Sequence, residues 1–330
     1  MDAWILDESP GNYRFGTTDP PELGPEDVRV RVVASALNHM DLWVTRAMPK
    51  PHLPHVPGCD GAGVVDAVGT AVTEVEVGAE VVINPAVSCR RCAACLAGNG
   101  PYCRKFQILG EQRWGTHADS VVVPAANVSR KPASRSWEET AAFGLCTLTA
   151  WRMLRRARVA AGETVLVVGV GGGVSSAGLV LARAMGARVF ATSRDAAKRA
   201  RALELGAEGA FDSGEDFPVK ADVVLENVGA ATWNRSMKTL VPGGRLVTCG
   251  GTAGPTVELN IPRLFFKQNE VIGSTMGSYA EWDQVMGLIA AGLPVIVDEV
   301  FDGLAAYPDA LKRLEQGQQL GKIVVRHSAA

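Results

Sequence analysis

The sequence predicts an α/β fold in two domains, a partly closed β-barrel followed by a doubly wound parallel sheet. Three observations carry this expectation. The chain has 330 residues, more than one ordinary hydrophobic core organises. From about Val28 to Asn127 the apolar residues come in short β-rich runs separated by Gly, Pro and Asn turns. Beyond about Trp151, apolar strands alternate with alanine-rich helical stretches, which is the grammar of a parallel sheet.

The barrel strands are expected at "VRVRVVAS", "GAGVVDAVG", "AEVVINP" and "DSVVVP". The parallel sheet is expected from "GETVLVVGV", "GARVFATS", "EGAFDS", "ADVVLENVG" and "GGRLVTCG", with "DAAKRARALELGA" as one of the intervening helices. The last fifty or so residues hold a helix, "AEWDQVMGLIAAGL", and a strand, "LGKIVVR". Their pattern fits either an extension of that sheet or a return to the first domain.

Composition bounds the function. With 47% apolar and 21% charged residues the chain is a folded globular protein. A net charge of -2 and no basic cluster argue against nucleic acid or an anionic membrane surface, leaving a small-molecule substrate as the expected partner. The N-terminal MDAWILDESP has no apolar signal region, so a cytoplasmic location is expected.

Four of seven cysteines, Cys89, Cys92, Cys95 and Cys103, fall in "SCRRCAACLAGNGPYC". An odd count with four thiols clustered favours a metal over disulfides. Four thiolates can wrap one zinc tetrahedrally and leave no open position, so one structural zinc per chain is expected.

"VLVVGVGGGVSSAGLVLARAMGA" reads as a strand, a glycine-rich turn and a helix opening near Val174. Glycines let the backbone approach a pyrophosphate, whose charge meets the N–H groups at the helix start. Gly169, Gly171, Gly172, Gly173 and Val174 are the candidate dinucleotide contacts. The next strand ends in Thr192, Ser193 and Arg194, where enzymes specific for NAD usually carry an acid. Ser193, Arg194 and Lys198 can instead hold a 2′-phosphate, so NADP(H) is the expected cofactor. Asp195 is expected to cap the following helix.

"ALNHMD" (36–41), "PGCDGAGVVDAVG" (57–69), the cysteine lobe and "GVGGGVSSAG" (169–178) together resemble the medium-chain dehydrogenase/reductase superfamily, zinc-containing alcohol dehydrogenases and the quinone oxidoreductase-like branch, over essentially the whole chain. The resemblance implies a GroES-like catalytic domain at 1–146 with a zinc lobe at about 88–104, a Rossmann domain at 147–275, and a return to the catalytic domain over 276–330. It implies substrate chemistry in a cleft between the two. It also implies cofactor contacts at Thr149, Cys249 and Lys322, and a homodimer, or a tetramer, joined through Rossmann edge strands around "NEVIGSTMGS".

In the zinc alcohol dehydrogenases of that family a Cys, the His of a Gly-His-Glu motif and a later Cys hold a catalytic zinc. Those positions fall here on Asn38, on Cys59 within Gly58, Cys59 and Asp60, and on Leu145. Asn is a poor zinc ligand and Leu is none, so the resemblance implies the zinc-free quinone oxidoreductase branch. The last glycine of that branch's turn is Ser175 here, a residue for helix packing or a phosphate contact.

The expected activity is therefore NADPH-dependent hydride transfer to an α,β-unsaturated carbonyl, an enoyl thioester or a quinone. Asn38 is the candidate oxyanion donor or a turn cap, His39 a phosphate or proton-relay residue, and Asp60 an acid that orients one of them or braces the barrel. Trp43 is either a pocket wall or core, and Asp41 is structural. The other histidines read as loop, surface or turn residues: His52, His55, His327 and His117. Two rivals remain: an alcohol or aldehyde dehydrogenase with a shifted metal site at His39, Cys59, Asp60 and Cys146, and an NADPH-binding protein with little turnover.

Overall fold

The computed structural model describes residues 1–327. The chain divides into two compact units, one of residues 1–145, 278–290 and 295 onward, the other of residues 146–277 and 291–294.

The first unit is organised by the strand Asp27–Ala36, whose Val28, Val30, Val32 and Ala34 face inward while the residues between them are half exposed. β-Branched residues at a period of two suit a pleated, half-buried strand. One edge pairs antiparallel with Asp60–Val68 along its length. The other edge pairs first with Ser120–Pro124 and then with Lys322–Arg326. Glu80–Ile83 and Val128–Arg130 extend the sheet on one side, and Val297–Asp302 runs parallel to Lys322–Arg326 on the other. Inside it Val28, Val30, Val65, Val81, Ile83, Leu109, Val121 and Val123 form one apolar cluster. The C-terminal segment thus joins the first unit's sheet, a choice its own pattern left open.

The second unit is a six-stranded parallel sheet. Its order is Gly209–Phe211, Arg188–Thr192, Thr164–Val167, Ala221–Glu226, Leu240–Thr248, Glu270–Gly273. Numbered within the unit this is 3-2-1-4-5-6, with the topological switch between the first and fourth strands, where α/β folds place ligands. The helix Gly173–Ala184 lies close to the sheet because Gly178 has no side chain; a Cβ there would meet Leu225 Cδ2 at 2.8 Å. At the end of the fourth strand the buried Glu226 accepts hydrogen bonds from the N–H groups of Val228 and Gly229 and from the hydroxyls of Thr232 and Ser236. It is a fully occupied structural acid. Among the described residues no helix is long and apolar enough to cross a membrane.

Candidate functional site

The glycine turn follows the first strand of the second unit, at its C-terminal end. Gly169 and Gly171 take positive φ, +73° and +152°, which side chains rarely adopt. Gly172 is the N-cap of the 12-residue helix, and a Cβ built there meets nothing within 4 Å. Open space against the first N–H groups of a helix is the cradle a pyrophosphate needs. Gly173 and Val174 open that helix. Ser175 is buried: its hydroxyl donates to Val168 O at 2.9 Å and accepts from Asn227 Nδ2 at 3.0 Å. Its hydrogen bonds therefore serve helix packing. Thr149 is also buried, and its hydroxyl has no partner among the described residues, as a group awaiting a ligand would. Cys249 follows the fifth strand, and burial, with the neighbouring Cys146, pushes its thiol up to about 12. The residues of this unit fit a bound dinucleotide.

At the end of the second strand Thr192 Oγ1 accepts from Gly169 N at 3.1 Å and from Ser213 Oγ at 3.1 Å, tying turn and strands together. Ser193 Oγ accepts from Asp195 N at 3.2 Å, which leaves its proton to donate. Asp195 caps the helix Ala196–Glu204, accepting from Ala197 N and Lys198 N. Arg194 is exposed and Lys198 half-buried. Sequence reasoning missed Arg199, whose Nη1 reaches back to Ser193 O at 2.7 Å, Arg194 O at 3.1 Å and Asp212 Oδ2 at 2.9 Å. The signal was there: an Arg one turn inside a helix projects toward its N-terminus.

In the first unit three of the proposed residues meet in one buried cluster. Asp60 Oδ2 accepts from Lys322 Nζ at 2.8 Å and from Asn38 Nδ2 at 3.0 Å, and Oδ1 accepts from Leu145 N at 2.6 Å. Lys322 also donates to Leu37 O and Asn38 Oδ1, each at 2.6 Å. Asn38 Nδ2 reaches Ala36 O as well, at 3.4 Å. The amide proposed as an oxyanion donor thus has both its oxygen and its nitrogen engaged by protein groups, and the lysine expected at the cofactor is the acid's ion-pair partner. Gly144 sits against this carboxylate, where any Cβ would collide with Asp60 Oδ1.

Asn38 also caps the helix His39–Thr45, with Asp41 closing the capping box through Asn38 N at 2.7 Å; Asp41 Oδ1 accepts from Gly58 N at 3.1 Å. Asp41 is therefore structural. His39 is half-buried at the start of that helix, its ring 6.2 Å from that of Trp43. Burial and then the Lys322 charge lower its pKa. Cys59 is wholly buried, and burial pushes its thiol well up.

Three histidines read as surface or turn residues are buried. His55 Nε2 lies 2.9 Å from Gly110 O. His117 Nδ1 and His327 Nε2 both lie 2.9 Å from the buried Ser35 Oγ. Proline, glycine and serine neighbours gave them a turn-like context, but long-range pairing of Leu6 with His55, of Trp4 N with His117 O and of His327 N with Val33 O draws them inward. His52 is exposed.

The four lobe cysteines bring their sulfurs within 4.8 Å of one another. Sulfurs bound to a tetrahedral zinc at about 2.3 Å sit about 3.8 Å apart. Here Cys92 to Cys95 is 3.6 Å and Cys89 to Cys95 is 3.9 Å, so the quartet fits that ion. Lys105 N donates to Cys103 Sγ at 3.3 Å, and Ser88 Oγ lies 3.4 Å from Cys95 Sγ, contacts that suit thiolates. Among the described residues no other group of three or more Cys, His, Asp or Glu converges in this way; His39, Cys59 and Asp60 do not.

The fold and cradle define a dehydrogenase-type oxidoreductase, and comparison with known proteins agrees. Residues 24–133 match the alcohol dehydrogenase GroES-like domain and residues 173–291 the zinc-binding dehydrogenase model. A crystal structure of an NAD-dependent alcohol dehydrogenase is similar at 39% identity and a TM-score of 0.94, covering 99% of this chain and all of the other. The 2-methylene-furan-3-one reductase of Solanum lycopersicum is 31% identical over 314 residues, 92% of this chain and 73% of that protein. A 2-octenoyl-CoA carboxylase reductase solved with NADP and 2-octenoyl-CoA has a TM-score of 0.91 at 27% identity, covering 96% of this chain and 82% of the other. The chain belongs to the medium-chain dehydrogenase/reductase superfamily.

Proposed function

We propose that the protein is an NADP(H)-dependent reductase of activated alkenes, of the enone, enoyl-thioester or quinone type, working without the family's catalytic zinc. The observation that carries this reading is the Lys322–Asp60 ion pair, closed by Asn38, beside the positions that would hold that zinc. Asn38, Cys59 and Leu145 offer at best one good ligand, Cys59, whose thiol burial keeps protonated. The fixed ammonium of Lys322 repels a dication there.

The cofactor supplies a hydride when bound, and the chain's own residues do the rest. Gly172 and the helix start hold the pyrophosphate, and Ser193 and Arg194 the 2′-phosphate. Addition to a conjugated alkene leaves an enolate, which asks for a proton and hydrogen-bond donors rather than a Lewis acid. His39, kept neutral by burial, carries one ring N–H at neutral pH; it is the candidate hydrogen-bond donor or relay, passing that proton on as its other nitrogen takes one up from solvent. The likeness to the furanone reductase and to the NADP-bound reductase of an enoyl thioester supports this class.

A second reading, alcohol oxidation with NAD, is favoured by the 39% identity to an NAD-dependent alcohol dehydrogenase. One comparison separates them. The first reading expects one zinc per chain by plasma mass spectrometry and NADPH oxidation with a panel of enones, enoyl thioesters and quinones. Two metals with NAD-linked alcohol oxidation would overturn it. Ser193→Asp with Arg194→Ile is expected to shift kcat/KM toward NADH.

The reading includes a homodimer. Among the described residues Glu270–Gly273 is an edge strand that pairs with Leu240–Thr248 alone. On the helix Ile261–Lys267 that precedes it in the chain, Ile261, Phe265 and Phe266 are 56%, 57% and 80% exposed, apolar side chains that a second copy of this chain covers.

A further inference from the structure

We infer that Arg199 is a positioning residue that sets the preference for a 2′-phosphorylated dinucleotide by locking the Ser193–Arg194 turn and neutralising Asp212. The inference rests on the NADP(H) reading and deepens it.

Two acids lie at this strand end, and either would repel a phosphate dianion. Asp195 is committed to its helix, capping Ala197 N at 2.8 Å and Lys198 N at 3.3 Å. Asp212, just after the third strand, has Oδ1 on Gly214 N at 2.8 Å and Oδ2 on Arg199 Nη1 at 2.9 Å. Arg199 is thus the counter-charge of the one acid that no helix start accommodates. Neither group of this pair is fully exposed, at 24% and 35% of the side chain, so the pairing is only partly screened.

The same Nη1 holds two successive carbonyls, Ser193 O and Arg194 O. A nitrogen with two hydrogens facing three acceptors shares at least one of them, which binds turn, helix and third strand into one unit. Holding the carbonyls fixes the two peptide planes, and with them the hydroxyl of Ser193, whose oxygen is occupied by Asp195 N and whose proton remains to donate. Arg199 touches no ligand in this scheme; it acts through Ser193, Arg194 and Asp212.

Calorimetric titration of the full-length protein with adenosine 2′,5′-bisphosphate and with ADP tests this. Arg199→Met is expected to lower the bisphosphate-to-ADP affinity ratio about tenfold, the size of one charge-assisted contact. Arg199→Lys, which keeps the charge but not the bridging geometry, should fall between, and is the variant read if the methionine form does not fold. Adding Asp212→Asn to Arg199→Met should restore part of the ratio, which a merely structural arginine would not predict. A wild-type ratio without 2′-phosphate preference overturns the NADP(H) reading and this inference together. A preference that both Arg199 variants retain overturns the inference alone.

Discussion

Lys322 Nζ stands 2.8 Å from Asp60 Oδ2 with both side chains withdrawn from solvent, 5% and 0% exposed. Removing one member of such a pair leaves a buried charge with no counter-ion, which typically costs about 3–5 kcal/mol. Lys322→Met is therefore expected to lower unfolding stability by that order in urea titration. Asp60→Asn in the same chain should recover part of the loss, because the uncompensated carboxylate is gone. An additive double variant would show that the two residues do not act as a pair.

Gly172 gives a cleaner test of the cradle. Its φ of -75° accommodates any residue and its Cβ position is empty. Gly172→Val should leave the melting temperature within a few degrees while weakening dinucleotide binding at least about tenfold, because the branched side chain occupies the approach to the helix N–H groups. Equal binding by variant and wild type, followed by fluorescence, would place the pyrophosphate elsewhere.

The helix Ala93–Leu96 of the cysteine lobe buries none of its residues, so the lobe's order is expected to depend on a metal held by the four cysteines. Cys92→Ser is expected to reduce bound zinc and the melting temperature together, while the protein that stays folded keeps dinucleotide binding in the other unit. Loss of that binding at full folding would contradict a purely bracing role.

The buried histidines set an acid limit. Burial, and then the His117 charge, holds His327 at about 3, whereas an unfolded histidine titrates at about 6.5. The unfolded chain therefore binds the proton first. The native state keeps this advantage in full above about pH 6.5 and loses it as pH falls toward 3, at up to about 1.4 kcal/mol per pH unit. His39 and His55 shift in the same direction and steepen the loss. Urea unfolding at stepped pH should show it, and His327→Gln should flatten the slope.

The exposed aromatic patch predicts an assembly defect. Phe266→Glu places a charge on the most exposed of the patch's aromatic rings and should convert a dimer to a monomer in sedimentation or light scattering. A wild-type monomer would refute the proposed interface.

What the sequence determined by itself is local. Four cysteines within fifteen positions, a glycine turn between a strand and a helix, and an N-cap at Asp195 are each set by neighbours a few residues away, and the strands follow from their period-two pattern. The structure alone decided which distant residues meet. Asn38, Asp60 and Lys322 are separated by 22 and 262 positions and converge because Lys322–Arg326 pairs with Asp27–Ala36. Ser35 likewise gathers His117 and His327 across 82 and 292 positions. Periodicity records which face of an element is apolar and nothing about which strand will lie beside it, so the sequence leaves Asn38 as a donor or a turn cap, Lys322 as a cofactor contact by resemblance, and the histidines as surface, loop or turn residues. Sheet pairing drew Asn38, Asp60 and Lys322 into one buried cluster and Ser35, His117 and His327 into another, because a charge or an imidazole taken out of water has to find its partner inside the protein.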